Sequence, residues 1–224
     1  ARGRHREALD AFERGIELTS HPAPLHSLRG HAFLRAGMLD DAVTAYGEAV
    51  NLDPAWRTPL LGRALALRRL GRLDEAIIDL RRTLSIDPSD YDALTQLGGC
   101  LGEAGDDAAA SDAYGKAVMT KPESSTALNS YGYFLGRLGR HRDALAALDR
   151  ALALDPDNAA AHNNRSFSLE RTGRKVEAIA ALREVVRISP RSAVAHKKLA
   201  DALSHAGRLS EAETAFTQSI ALDP

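Results

Sequence analysis

The sequence predicts an all-α solenoid of antiparallel helix pairs, and three superimposed rulers carry that expectation. Pro54, Pro88, Pro122, Pro156, Pro190 and Pro224 stand 34 residues apart, mostly behind Leu-Asp or Ile-Asp, with Thr-Lys and Ile-Ser as variants. Gly37, Gly71, Gly105, Gly139, Gly173 and Gly207 keep the same interval, as do Ala42, Ala76, Ala110, Ala144, Ala178 and Ala212. A fixed period of this length makes each stretch one copy of a supersecondary unit that buries its apolar face against its neighbours.

Each unit opens with a helix of the kind seen in "LNSYGYFLGRLG", where Leu128, Tyr131, Leu135 and Leu138 share a side and Gly139 is placed to end the helix in a left-handed cap. After the turn comes a second amphipathic helix such as "LDEAIIDLRRTLSIDP", with Leu73, Ala76, Ile77, Leu80, Leu84 and Ile86 largely at helical spacing and the proline closing it. The full units are 23–56, 57–90, 91–124, 125–158, 159–192 and 193–224, the last without its two final linker residues. Residues 1–22 supply the second helix of an earlier unit, with Gly3, Ala8 and Phe12 in phase, so that 1–224 reads as a single array.

Composition narrows the function. The chain has 224 residues, with 29 Lys+Arg against 30 Asp+Glu, which gives no global attraction to nucleic acid or to an anionic membrane surface. One cysteine cannot form an internal disulfide, and no apolar run is long enough to span a bilayer. The opening "ARGRHREALD" has no apolar signal-peptide core, so a soluble, cytoplasmic protein is expected. That opening also reads like the middle of something, and "ALDP" closes the chain without a polar covering helix. A fragment with two adhesive ends, capable of self-association, is therefore expected.

The pattern resembles the tetratricopeptide repeat family, whose signature combines a small residue in the first helix, an alanine in the second and a proline after it. The small residues are Gly30, Ala64, Gly98, Gly132, Ser166 and Ala200. The second-helix aromatic of the family is met by Tyr46, Tyr114 and Phe216, while Leu80, Leu148 and Leu182 fill the slot with aliphatic bulk. The resemblance implies a right-handed superhelix whose first helices line a concave groove, and a non-catalytic scaffold for protein–protein interaction. It also admits a regulatory or substrate-docking arm of a larger enzyme such as a glycosyltransferase. RNA-reading helical repeats use a slightly different period and a basic groove, so nucleic acid is not expected as a partner.

Chemistry-bearing candidates reduce to repeat grammar. In "QLGGCLGEAGDD", residues 96–107, Gly98 is a packing residue and Gly105 a helix terminator, and no strand precedes them as a phosphate loop requires. Cys100 has no Lys, Arg or His within four residues and reads as a small buried side chain. Gly99 and Gly102, on the groove side, have no assigned role. His26, His162 and His196 share one slot, but equivalent positions in stacked helices lie roughly 10 Å apart whereas metal ligands sit about 2 Å from a shared ion. A packing role follows, with no metal and no cofactor. No serine or carboxylate stands beside a base at catalytic spacing. Trp56, after Pro54, is expected at a packed junction.

Every fourth residue along successive first helices gives Ser27, His31, Arg35; Leu61, Leu65, Arg69; Thr95, Gly99, Glu103; Asn129, Tyr133, Arg137; Asn163, Phe167, Arg171; and Lys197, Asp201, His205. Two neighbouring units thus repeat an Asn, aromatic, Arg series on one helix face. Asparagine pairs with a peptide backbone, the aromatics give apolar contact, and arginine grips a carboxylate. The expected partner site is Asn129, Tyr133, Arg137, Asn163, Phe167 and Arg171, with Lys197 at its edge, holding a protein or peptide partner.

Overall fold

The computed structural model describes residues 13–223. Of the expected half unit 1–22, residues 1–12 with Gly3, Ala8 and Phe12 lie outside the described residues, and 13–22 are described, with a helical stretch at 13–18. Beyond it run helices α1 (Ala23–Ala36), α2 (Leu39–Leu52), α3 (Arg57–Arg69), α4 (Leu73–Ile86), α5 (Tyr91–Glu103) and α6 (Asp107–Thr120). They are followed by α7 (Ser125–Arg137), α8 (His141–Leu154), α9 (Ala159–Arg171), α10 (Lys175–Ile188), α11 (Ala193–His205) and α12 (Leu209–Leu222). No strand occurs among the described residues, and the all-α class of antiparallel helix pairs at a 34-residue repeat is the observed one. Odd-numbered helices are the first of each unit and even-numbered ones the second. Contacts divide the chain into two compact parts, Ala1–Ala113 and Tyr114–Pro224.

Both ends of the first helices are specified chemically. At their C-termini all six period glycines have φ between 75° and 86°, a conformation L side chains rarely adopt. The chain then closes with a six-residue backbone bond of the Schellman type, such as Met38 N–H to the Phe33 carbonyl at 3.0 Å and Arg140 N–H to the Leu135 carbonyl at 2.9 Å. At four of their N-termini the residue two past the linker proline is a side-chain cap, whereas Trp56, two past Pro54, makes no such bond. Asp90, Ser124, Asn158 and Ser192 accept from the backbone N–H of Ala93, Ala127, Ala161 and Ala195 at 2.9, 3.2, 3.0 and 3.2 Å.

The second helices begin with an ion pair across their first turn. Arg72, Arg140, Arg174 and Arg208 each bind the acid three residues on, Glu75, Asp143, Glu177 and Glu211, at 2.6–2.9 Å. In the unit 91–124 this slot holds Asp106 instead, which caps Ala109 N–H at 3.0 Å.

Packing follows the small-to-large rule the sequence implies. Tyr46 is fully buried, and a Cβ built on Gly30 would lie 2.7 Å from its ring. Gly62, on α3, would also collide with that ring, so the tyrosine is clasped between two glycines of successive first helices. In the second part a Cβ on Gly132 would meet Leu148 Cγ at 2.6 Å. Leu80, Leu148 and Leu182 occupy the aromatic slot with 0–2% exposure, so aliphatic bulk closes the core there. Gly99 acquires a role: the Arg68 guanidinium lies 2.7 Å from where its Cβ would stand, on its way to Glu103, which Arg68 Nε binds at 2.9 Å.

Cys100 is fully buried, and burial pushes its thiol up, which makes it a packing residue. His162 and His196 do more than pack: each ring Nε2 lies 3.0 Å from the carbonyl oxygen of the linker proline six residues earlier, Pro156 and Pro190. Trp56 is half-buried at the junction of α2 and α3, beside Pro22, Pro24 and Leu52. Among the described residues no helix is long and apolar enough to cross a membrane, and no cluster of three His, Cys, Asp or Glu is placed to hold a metal ion.

Candidate functional site

Within the part Tyr114–Pro224 the first helices α7, α9 and α11 enclose a half-open cavity of about 480 Å³, floored by Leu182 of α10. The helix caps explain why three first helices can border one cavity. Ser124, Asn158 and Ser192 start them in the same register, so equivalent faces repeat from helix to helix. The closeness of α7 to α9 comes from Gly136, where an added Cβ would lie 3.2 Å from Ser168 Oγ. That hydroxyl is buried and has no hydrogen-bond partner among the described residues.

Tyr133 of α7 and Phe167 of α9 border the cavity, 41% and 48% exposed, which is unusual for side chains of this size. Each is held in orientation by a neighbour. Tyr133 meets the Phe134 ring edge to face at 5.0 Å, and Phe167 meets His141 likewise at 5.9 Å. The Arg137 guanidinium carbon lies 5.9 Å from the Tyr133 ring centre, within cation–π range.

Two hydrogen bonds tie successive first helices together along this wall. Asn164 Nδ2 donates to Asn129 Oδ1 at 2.9 Å, and Lys198 Nζ donates to Asn163 Oδ1 at 2.6 Å. Both asparagines therefore spend their carboxamide oxygens inside the protein, and what they offer a ligand is chiefly the Nδ2–H donor.

Of the residues expected from the sequence, Tyr133, Arg137, Asn163 and Phe167 line the cavity. Asn129 stands behind them, bonded to Asn164, while the exposed Arg171 and Lys197 do not border it. On α11 the lining residues are Lys198, Asp201 and His205. Asn164, Ser168, Glu170 and Lys198 escaped the stripe, because it follows a single row of side chains whereas the central helix α9 lies under the cavity and presents both of its flanks. The signal that would have found Asn164, Ser168 and Lys198 is the neighbouring row, one residue further along, whereas Glu170 stands one residue before Arg171 on the other side of the stripe.

The tetratricopeptide repeat family model matches residues 27–91, 61–127 and 132–193, and a second model of the same repeat matches 169–224. A search of curated proteins found no match. Among solved structures, MamA from Desulfovibrio magneticus RS-1 is 21% identical with a TM-score of 0.71, over 75% of this chain and 94% of that one. YrrB, described as a TPR protein with an unusual peptide-binding site, is 21% identical with a TM-score of 0.73, over 83% of this chain and 95% of that one. A tetratricopeptide repeat protein from Parabacteroides merdae is 17% identical with a TM-score of 0.72, over all of this chain and 88% of that one. At such identities the likeness is one of fold. The family matches run almost without a break from residue 27 to the chain's end, over repeats whose glycines make the turns and whose small residues make the helix contacts, and the chain belongs to the tetratricopeptide repeat family.

Proposed function

We propose that this protein is a non-catalytic interaction scaffold that holds an extended segment of a partner protein along α7, α9 and α11. The observation that carries the reading is the pair of exposed, pre-oriented aromatics, Tyr133 and Phe167, on one cavity wall with the carboxamide of Asn163 between units. Rigid aromatics give apolar contact at little conformational cost, and amide donors at repeat spacing read a peptide carbonyl row. The description of YrrB as peptide-binding supports the same use of the fold. Asn129, Tyr133, Arg137, Asn163, Phe167, Arg171 and Lys197 form the proposed contact set, with Asn129, Arg171 and Lys197 meeting the segment outside the cavity.

The test is capture from a lysate of the source organism on immobilised wild-type chain and on a Tyr133→Ala, Phe167→Ala double variant. A protein retained by the first and lost from the second, which protects residues 129–171 from hydrogen exchange, is the expected result. Retention of the same proteins by both would place the interaction elsewhere.

A further inference from the structure

We propose that the cavity between α7, α9 and α11 takes a basic side chain of the bound segment, arginine in preference to lysine, an inference that rests on the peptide-groove reading above. The cavity holds two cations, Arg137 and Lys198, and two carboxylates, Glu170 and Asp201, so formal charge does not choose the ligand. Hydrogen-bonding capacity does. Lys198 already donates to Asn163 Oδ1 at 2.6 Å, and Arg137 lies over the Tyr133 ring. Glu170 and Asp201 have no ion pair or side-chain hydrogen bond among the described residues, and Asp201 is half-buried.

A partly buried carboxylate with no protein partner keeps its acceptor oxygens for a ligand, and a cationic donor is the guest that uses them best. An acidic side chain has no donor for Asp201 and would leave its acceptor oxygens unused, and an aliphatic one would strip water from Asp201 and give it nothing in return. The remaining surface fits the same guest. The carbon-rich lining suits a long methylene stem, and the exposed rings of Tyr133 and Phe167 suit a cation. A guanidinium satisfies both demands at once, because its plane stacks on an aromatic face while its edge forks onto a carboxylate, which an ammonium cannot do. A volume of about 480 Å³ leaves room for one such side chain and the backbone that carries it.

The probe is a random twelve-residue peptide library displayed and selected on the full chain. Enriched sequences are synthesised with a fluorophore and titrated against folded variants whose helicity matches wild type. The expected binders need Tyr133 and Phe167 and share an arginine. Replacing that arginine by citrulline, which keeps the shape and removes the charge, weakens binding by about tenfold or more, and lysine weakens it less. Asp201→Asn removes the preference for arginine over citrulline, and Arg81→Glu at an exposed position of α4, outside the cavity lining, leaves it intact. Binders that need both aromatics but carry no basic residue, or that bind equally well with citrulline, would overturn the basic anchor and leave the peptide groove standing. Binders indifferent to Tyr133→Ala and Phe167→Ala, or no enrichment at all, would overturn both.

Discussion

Tyr46 occupies the space that Gly30 leaves by having no side chain: a Cβ on the glycine would stand 2.7 Å from the ring. The ring cannot retreat, because it is fully buried and Gly62 of the next first helix closes its other side. Gly30→Ala should therefore destabilise the chain by about 1–3 kcal/mol through overpacking, in spite of alanine's better helix propensity.

Gly99→Ala should behave differently. Its new Cβ meets only the far end of Arg68, a flexible side chain that can swing aside. The loss is the surface pair with Glu103, worth about 0.2–1 kcal/mol, against a helix-propensity gain of about 1 kcal/mol. Urea unfolding should show Gly99→Ala between neutral and slightly stabilised, and a loss above 1 kcal/mol would contradict the assignment.

Tyr46 also makes stability depend on alkaline pH. Burial disfavours the phenolate and pushes its hydroxyl up to about 12. In the unfolded chain the same group ionises near 10. Below that pH both states keep the proton and the contribution to stability is complete. Between about 10 and 12 only the unfolded state releases it, so stability falls as pH rises, by about 2–3 kcal/mol across the window. Unfolding of Tyr46→Phe measured from pH 8 to 12 should lack this fall, while its stability at pH 8 should stay close to wild type, because the hydroxyl has no partner among the described residues. Equal pH slopes for the two proteins would refute it.

Most of the fold was legible because the elements that end helices are the ones that recur. Gly139 and its equivalents announce the left-handed turn, and the alanine at Ala42 and its equivalents announces a contact with no room for more. The clasp of Gly62 on Tyr46 was not legible, since it lies two residues from the expected small position Ala64 and depends on how one unit stacks on the next. Nor was the link from His162 to the Pro156 carbonyl, where a residue expected to pack also holds a turn. In the candidate site the aromatics were legible by their repetition. Lys198 in place of Lys197 was not, because the side of a helix that meets a cavity is set by helix crossing angles and not by sequence spacing.

The caps provide a separate test of the repeat grammar. Ser192 Oγ accepts from Ala195 N–H at 3.2 Å, sharing that donor with the Ser192 carbonyl at 3.0 Å, and so caps the first turn of α11. Ser192→Ala should cost about 1 kcal/mol, and Ser192→Asp should restore it, since Asp90 fills the same slot in an earlier unit. Thermal unfolding of the two variants checks this, and an unaffected Ser192→Ala protein would show that the bond contributes nothing.

If a peptide lies along α7, α9 and α11, titration of a captured partner segment against groove variants of the folded chain shows it directly. Asn129→Ala and Asn163→Ala should each weaken binding by about 0.5–1.5 kcal/mol, and the two together by about tenfold or more. Tyr133→Ala should weaken binding at both low and high salt, because a ring packed against the segment acts at contact distance, whereas an exposed charge contact such as that of Arg171 should fade as salt is raised. Arg81→Glu, on the exposed side of α4, should change nothing. Wild-type affinity in every groove variant, with loss only in Arg81→Glu, would refute the peptide site and place binding away from α7, α9 and α11.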